Sequence, residues 1–224
     1  MRPSRVLSAL AGTAALGSVA LTAACGGGSS AATPGPAVPA QVPRASITPT
    51  TPTGLPWARP DNTRDAVVAA GLTALTAEGS VSHYHAHLDV IVDGRPQPVP
   101  AGLGIVLVNK DGSQPASSRL EQIDASSTTV TYSPLHTHDV SGVIHIESPT
   151  KTDYTLGELF TEWQVPLAPG QVGQYTSGVA VYVDGAPYAG DPRALAFAPH
   201  QEIAVVVGQT PPTIPSSYTF AAGQ

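Results

Sequence analysis

The sequence predicts an α+β domain that is mostly β, with one or two short helices. Polar and apolar residues alternate along residues 83–92, which is the period of a strand. Asp-Gly pairs end two strand-like runs, at residues 93–94 and 184–185, and such pairs are typical of hairpin turns. A Thr-x-x-Glu capping box at residues 155–158 opens a short helix that continues to Trp163. Together these patterns indicate strands joined by tight turns, with a single well-marked helix among them.

The predicted elements follow one another along residues 61–209. A helix begins at Asn62 or Thr63, and its apolar positions continue toward Glu78. The alternating strand comes next, and it ends at the first Asp-Gly turn. Further strands are predicted at residues 103–108, 128–132, 142–147, 179–185 and 202–208.

The C-terminal half of the domain carries a resemblance to a known fold. The phrases YTLGELF, VAVYVDGAP and HQEIAVVVG resemble β-grasp sequences, in which a strand that ends in an Asn/Asp-Gly turn precedes a late strand. This likeness covers roughly residues 128–208, and it implies a β-grasp-like arrangement there. VIVDGRP (90–96) and VYVDGAP (181–187) also match in five of seven positions. That match fits either a duplicated unit or two hairpins with the same turn geometry.

Residues 1–24 are expected to form a lipoprotein signal peptide. A short basic region precedes an apolar run, and the segment LTAAC then ends in Cys25, the only cysteine of the chain. This ending resembles the bacterial lipobox, which is cut before a cysteine that is then lipidated, although Thr22 stands where a large aliphatic residue is usual. The alternative is an ordinary signal peptide that leaves Cys25 as a free thiol. Lipidation implies a location on the extracytoplasmic face of the bacterial cell membrane.

A spacer, residues 25–60, is expected to tether the domain, and residues 210–224 are expected to form a tail. Eight of the 23 prolines lie in the spacer, which has almost no periodic hydrophobicity. Without residues 1–24, eight Lys and Arg face sixteen Asp and Glu, which is a formal charge of −8. This acidic balance argues against nucleic acid as a partner. The expected contacts are a metal ion and, through the lipid, the membrane, whereas no protein partner is indicated.

The histidines are the most informative residues of the chain. Six of the seven fall in two blocks, HYHAH at residues 83–87 and LHTHDVSGVIH at residues 135–145. Successive side chains on a strand point to opposite faces, so the first block turns its imidazoles away from the face of Leu88 and Val90. Two H-x-H pairs on adjacent strands would converge on one ion. The predicted ligands are His85, His87, His136 and His138, followed by His83 and His145.

Carboxylates accompany these histidines. Asp89, Asp139 and Glu147 each lie within two residues of a histidine, and such a carboxylate commonly accepts the second N–H of a ligating imidazole. His200 has no partner at a comparable spacing and is expected to be a turn or surface residue. Met1 is the only methionine, so soft ligands for Cu(I) are absent from the domain. Imidazole ligands outside the cell indicate Cu(II) or Zn(II) as the cofactor.

Three functions are compatible with these patterns. The first is a lipid-anchored transition-metal-binding protein for metal storage, sensing or delivery. The second is a metal-dependent enzyme of the cell envelope with three histidines, an open coordination position, and Glu147 or Asp139 as general base. The third is an adhesion or scaffold module whose histidines respond to pH. No second catalytic constellation accompanies the histidines, which favours binding over catalysis.

The second histidine block also carries a resemblance. The phrase LHTHDVSGVIHIESP, followed by YTLGELF, resembles a motif of secreted or membrane-tethered proteins of bacteria and some archaea. The likeness extends from HYHAHLDV to EIAVVVG. It implies a defined histidine-rich module and no particular reaction.

Overall fold

A computed structural model describes residues 55–108 and 128–224, all of which belong to one compact unit, Val42–Gln224. The predicted signal peptide, Cys25 and residues 25–54 of the predicted spacer lie outside the described residues. The α-helices and strands of the described residues are α1 (Thr63–Ala69), β1 (Ser82–Val92), β2 (Arg95–Gln97), β3 (Ile105–Val108), β4 (Thr128–Tyr132), β5 (Leu135–His136), β6 (Val143–Ser148), α2 (Leu156–Trp163), β7 (Leu167–Ala168), β8 (Gln171–Val172), β9 (Val179–Val183), β10 (Ala186–Pro187) and β11 (Glu202–Val207), and one short 3-10 helix spans Pro192–Ala194. This content confirms the prediction of an α+β fold that is mostly β.

The long strand β1 is the centre of the main sheet. The strands of this sheet lie in the order β10-β9-β11-β1-β6-β5, and β2 also pairs with β1. The N-terminal half of β1 pairs antiparallel with β6, and its C-terminal half pairs parallel with β11. His87 lies where the two pairings meet, opposite Val143 on one side and Glu202 on the other. Strands β3 and β4 form one small separate sheet, and β7 and β8 form another.

One face of the main sheet packs on helix α2. Leu88 and Val90 of β1 are almost fully buried, in the same apolar cluster as Phe160 and Trp163 of the helix. Each large apolar side chain buried in this way contributes roughly 1.5–3 kcal/mol of transfer free energy. The helix begins at the predicted capping box, in which Thr155 N donates to Glu158 Oε2 over 2.7 Å. The alternation of β1 therefore predicted correctly which side chains enter the apolar core.

The two Asp-Gly turns have the expected hairpin geometry. Asp93 and Gly94 have φ values of 49° and 73°, and Asp184 and Gly185 have 50° and 79°. Positive φ at both central residues is the type I′ arrangement that matches strand twist. Asp184 Oδ1 also accepts the backbone N–H of Glu202 over 2.9 Å, and this bond holds the first residue of β11 in place.

Helix α1 is shorter than the sequence pattern suggests. It ends at Ala69, and Gly71 follows with φ of 81°, a left-handed conformation that commonly terminates a helix. Leu75 then makes an isolated β-bridge to Tyr132 rather than continuing the helix. As a result, Glu78 lies on an irregular segment before β1.

Both predicted flanking segments contribute packed residues to the domain. Trp57 falls inside the predicted spacer, yet it is 2% exposed, and its ring lies edge-on to Trp163 with centroids 5.7 Å apart. Ile214 and Tyr218 fall inside the predicted tail. Ile214 packs on the second, smaller apolar cluster of the sheet, and Tyr218 stacks on His87. The C-terminal segment therefore lies along the histidine-bearing face of the sheet.

Among the residues that the structure describes, no helix has the length and apolar character needed to cross a membrane.

Candidate metal centre

Strand register places three histidines in one row across the sheet. His145 of β6 is paired with His85 of β1 on one side and with His136 of β5 on the other. The imidazole centroids lie 4.4 Å apart for the first pair and 5.2 Å for the second. This order differs from the expected one, in which the two strands with H-x-H pairs are neighbours. Strand β6 lies between them, so His145, a second-choice ligand in the sequence prediction, occupies the centre of the row.

Three imidazoles form the first group that could hold a metal ion. His136, His138 and His145 each offer a ring nitrogen, and these three nitrogens lie within 4.8 Å of one another. His136 is fully buried, whereas the side chain of His138 is 38% exposed and that of His145 is 13% exposed. The group therefore has a buried side against the sheet and an open side toward solvent.

The tautomer of His136 follows from its hydrogen bond. Its Nδ1 lies 2.9 Å from the carbonyl oxygen of Ser133, which only accepts hydrogen bonds, so Nδ1 carries the proton and donates it. Nε2 of the neutral ring then holds a lone pair. This atom is buried and has no hydrogen-bond partner among the described residues. A backbone carbonyl that fixes the tautomer of an imidazole is the usual support of a metal-ligating histidine.

A second group lies against the first and includes a buried carboxylate. Its members are His83, His85 and Glu147. Glu147 Oε1 lies 3.5 Å from His83 Nε2 and 3.8 Å from His85 Nε2, and it accepts a hydrogen bond from His145 Nδ1 over 2.9 Å. Nε2 of His85 lies 3.0 Å from the same Nδ1 atom. Glu147 therefore contacts the central imidazole of the row, and its role beside a metal ligand stays a prediction.

Glu78 joins the cluster although no sequence pattern pointed to it. Its Oε1 lies 3.4 Å from His138 Nε2 and 3.8 Å from His136 Nε2. Burial raises the pKa of its carboxyl, and the negative charge of Glu147 raises that pKa further. Because Glu78 precedes β1 on an irregular segment, neither strand periodicity nor H-x-H spacing could have identified it.

The pKa values of three histidines of the cluster, His85, His136 and His138, favour neutral rings. Burial, followed by the neighbouring His145, lowers the pKa of His136 to about 3 and that of His85 to about 4. The same two causes lower the pKa of His138. Burial alone would raise the pKa of Glu147, but the hydrogen bond from His145 and the nearby imidazoles lower it overall. Near neutral pH the unprotonated imidazoles of His85, His136 and His138 therefore lie beside the ionised carboxylate of Glu147, and a divalent metal requires ligands in this protonation state.

His87 lies apart from these groups. Its Nε2 donates to the carbonyl oxygen of Ser141 over 2.8 Å, and its Nδ1 lies 2.9 Å from Glu202 Oε2. Asp89 approaches the same Nδ1 to 4.0 Å. Burial lowers the pKa of His87, but the hydrogen bond and charge of Glu202 outweigh burial and raise it overall. Both ring nitrogens are thus engaged, and the structure does not bring His87 together with the other five predicted ligands.

The remaining predicted residues have local roles. Asp139 accepts the backbone N–H of Ser141 over 2.8 Å and lies at the rim of the cavity beside His138. His200 is an exposed turn residue with φ of 58°, as expected, and its Nε2 donates to the carbonyl oxygen of Gln224 over 3.0 Å. Glu202, the buried partner of His87, was missed because it lies 115 residues away in the sequence.

A cavity of about 460 Å³ opens onto the cluster. Its lining includes Glu78, His83 and His138 and the C-terminal residues 222–224. The C-terminal segment therefore forms part of the wall of this cavity.

Comparisons of the chain with protein-family models, with curated proteins and with solved structures found no match.

Proposed function

We propose that the domain binds a divalent transition-metal ion at His136, His138 and His145. The observation that carries this proposal is the Nε2 atom of His136, a lone pair held in a fully buried position with no hydrogen-bond partner among the described residues. An unsatisfied buried acceptor normally costs about 1–3 kcal/mol. Binding of a cation by this lone pair would remove that cost, and two further imidazoles stand within reach of the same point.

The proposed ion is Zn(II) or Cu(II). Imidazole nitrogen suits both ions, and a small closing movement of the three rings would give the usual metal–nitrogen distances of roughly 2.0–2.1 Å. The carboxylates of Glu78 and Glu147 lie beside the rings and would balance the charge of the ion. In this proposal the function is storage, sensing or delivery of the metal.

An enzymatic role for the same site has one supporting observation. The cavity of about 460 Å³ would leave room for water or a small molecule beside an ion on His138. A metal-dependent enzyme needs such an open position. The absorption spectrum of the Co(II)-substituted protein separates the two roles, because four protein ligands with no water would contradict catalysis.

The test of metal binding uses tag-free protein and a Zn²⁺ titration against a chelator of known affinity. His138→Ala removes a partly exposed ligand. Loss of a residue that only hydrogen-bonds to a metal ligand weakens metal binding by roughly 10- to 100-fold, so loss of this ligand should weaken Zn²⁺ binding by at least as much. His200→Ala is the matched control, because this histidine is exposed and outside the cluster. Equal affinity in the wild-type protein and in His138→Ala would overturn the proposal.

We further propose that the domain acts on the extracytoplasmic face of the membrane, anchored by lipid on Cys25. The support is the lipobox-like segment LTAAC at residues 21–25. Metabolic labelling with a radioactive fatty acid should mark the wild-type chain and leave Cys25→Ala unlabelled. Equal labelling of both chains, or of neither, would contradict the anchor and leave the metal site untouched.

A further inference from the structure

The cluster contains more ligands than a single ion can use. Five imidazoles and two carboxylates form one continuous cluster, in which each group contacts at least one other. Structural zinc sites use four ligands, and octahedral sites use six. The seven candidates are Glu78, His83, His85, His136, His138, His145 and Glu147.

These ligands divide into two groups with a common border. His136, His138 and His145 face one point, and His83, His85 and Glu147 face another. Each group offers three ligand atoms within 4.8 Å of one another, which is the number that an ion with an open position requires. The sequence prediction placed His85 in one four-nitrogen site with His136 and His138, whereas the structure groups His85 with His83 and Glu147, on the other side of the central His145.

Glu147 belongs to both halves of the cluster. It forms a ligand group with His83 and His85, and another with Glu78 and His136. Its Oε1 faces the imidazoles of His83, His85 and His145. Its Oε2 has no hydrogen-bond partner among the described residues and is buried, since only 4% of the side chain is exposed. A buried carboxylate oxygen without a partner is costly, and a cation on that side would satisfy it.

We infer that the cluster holds two transition-metal ions that share the carboxylate of Glu147. One ion is the one proposed above, on His136, His138 and His145, and the second is held by His83 and His85. Glu147 would serve both ions, because its carboxylate forms a ligand group with His83 and His85 and also contacts His145 of the first group. Glu78 lies on the side of His136 and His138 and would help to neutralise the charge there. The inference rests on the proposed function, because it adds a second ion to the same centre.

The experiment measures how many ions bind and whether they interact. Tag-free protein is loaded with Cu²⁺, bound copper is counted by native mass spectrometry, and the paramagnetic resonance spectrum is recorded. The expected result is two ions per chain with spin coupling between them. His83→Ala should bind one uncoupled ion, and it should fold because this side chain is 51% exposed. Glu147→Gln should lose the coupling, and His200→Ala should retain two coupled ions.

Other outcomes separate the two claims. If the wild-type protein binds one ion and His83→Ala also binds one, the second site is refuted and the proposed function remains. If two ions bind without coupling and His87→Ala loses one of them, the second ion lies at His87, Asp89 and Glu202, and the shared carboxylate is refuted. If the wild-type protein binds none, the proposed function fails and the second site fails with it.

Discussion

Acidification of the metal-free protein should reveal the burial of His136. Its ring is fully buried and its pKa is about 3, against an ordinary value of 6.5. Below pH 6.5 this residue binds a proton in the unfolded chain, whereas in the folded chain it stays neutral down to about pH 3. The stability contributed by a neutral buried histidine is therefore complete above pH 6.5 and is lost progressively as the pH falls toward the folded pKa.

The size of this loss of stability follows from the difference between the unfolded and folded pKa values of His136. Each pH unit between the unfolded and folded pKa values removes about 1.4 kcal/mol from the free energy of unfolding. His136 alone should therefore lower that free energy by about 2 kcal/mol between about pH 7 and about pH 5. His85, with a pKa of about 4, acts in the same direction. His87 acts in the opposite direction, because its pKa is raised and its protonated form is favoured in the folded state.

A variant isolates the contribution of His136 from these neighbours. His136→Gln does not titrate in this range, and its amide N–H group can still donate to the carbonyl oxygen of Ser133. Urea unfolding of the metal-free wild-type protein and of this variant, at several pH values between about 7 and 5, gives the two slopes. The wild-type protein should lose about 2 kcal/mol more than the variant over this pH range. Parallel slopes for the wild-type protein and His136→Gln would refute the assigned burial and tautomer.

Three further predictions concern residues around the site and in the core. Glu162 is fully buried and burial raises its pKa well above 4.5, so the wild-type fold loses stability as the pH rises above 4.5. Glu162→Gln should therefore be more stable than the wild-type protein at neutral pH, by more than about 1 kcal/mol in urea unfolding. A less stable variant would contradict this prediction. His87→Gln removes one partner of the buried pair with Glu202 and should lower the free energy of unfolding by roughly 3–5 kcal/mol in thermal or urea unfolding. The number of bound Zn²⁺ ions should stay unchanged. A lost ion would instead assign His87 to the metal centre. Gly142→Ala should be less stable than the wild-type protein by at least about 1 kcal/mol in the same assay. The reason is that Gly142 has φ of 89° and an added Cβ would lie 2.5 Å from the carbonyl oxygen of Leu88. Wild-type stability of this variant would show that the turn tolerates a side chain.

Local patterns were sufficient to predict most elements of the fold. The alternation along β1, the two Asp-Gly turns and the capping box at Thr155 depend on residues a few positions apart, and the structure confirms each of them. The end of α1 was wrong, because the apolar pattern continues after Gly71 although the chain turns away there. The β-grasp likeness of the C-terminal half and the lipidation of Cys25 stay predictions.

The predicted ligands divide according to contacts that periodicity does not encode. Alternation correctly placed His83, His85 and His87 on the face opposite Leu88, but it carries no information on their depth. His85 and His87 are buried, whereas the side chain of His83 is half exposed. Their depth depends on β6 and β11, the neighbours of β1, and on the C-terminal segment that covers the sheet.

The sequence by itself determined which histidines are candidates for the site: six histidines in two blocks, five of which the structure brings together, with carboxylates nearby. The tertiary structure alone decided which of them meet. The strand order placed His145 between His85 and His136 and paired His87 with the distant Glu202. The path of the chain before β1 placed Glu78 beside His138. The physical reason is that side-chain direction follows from the period of a strand, whereas contact across a sheet depends on strand order and register. These are settled by the packing of the whole domain.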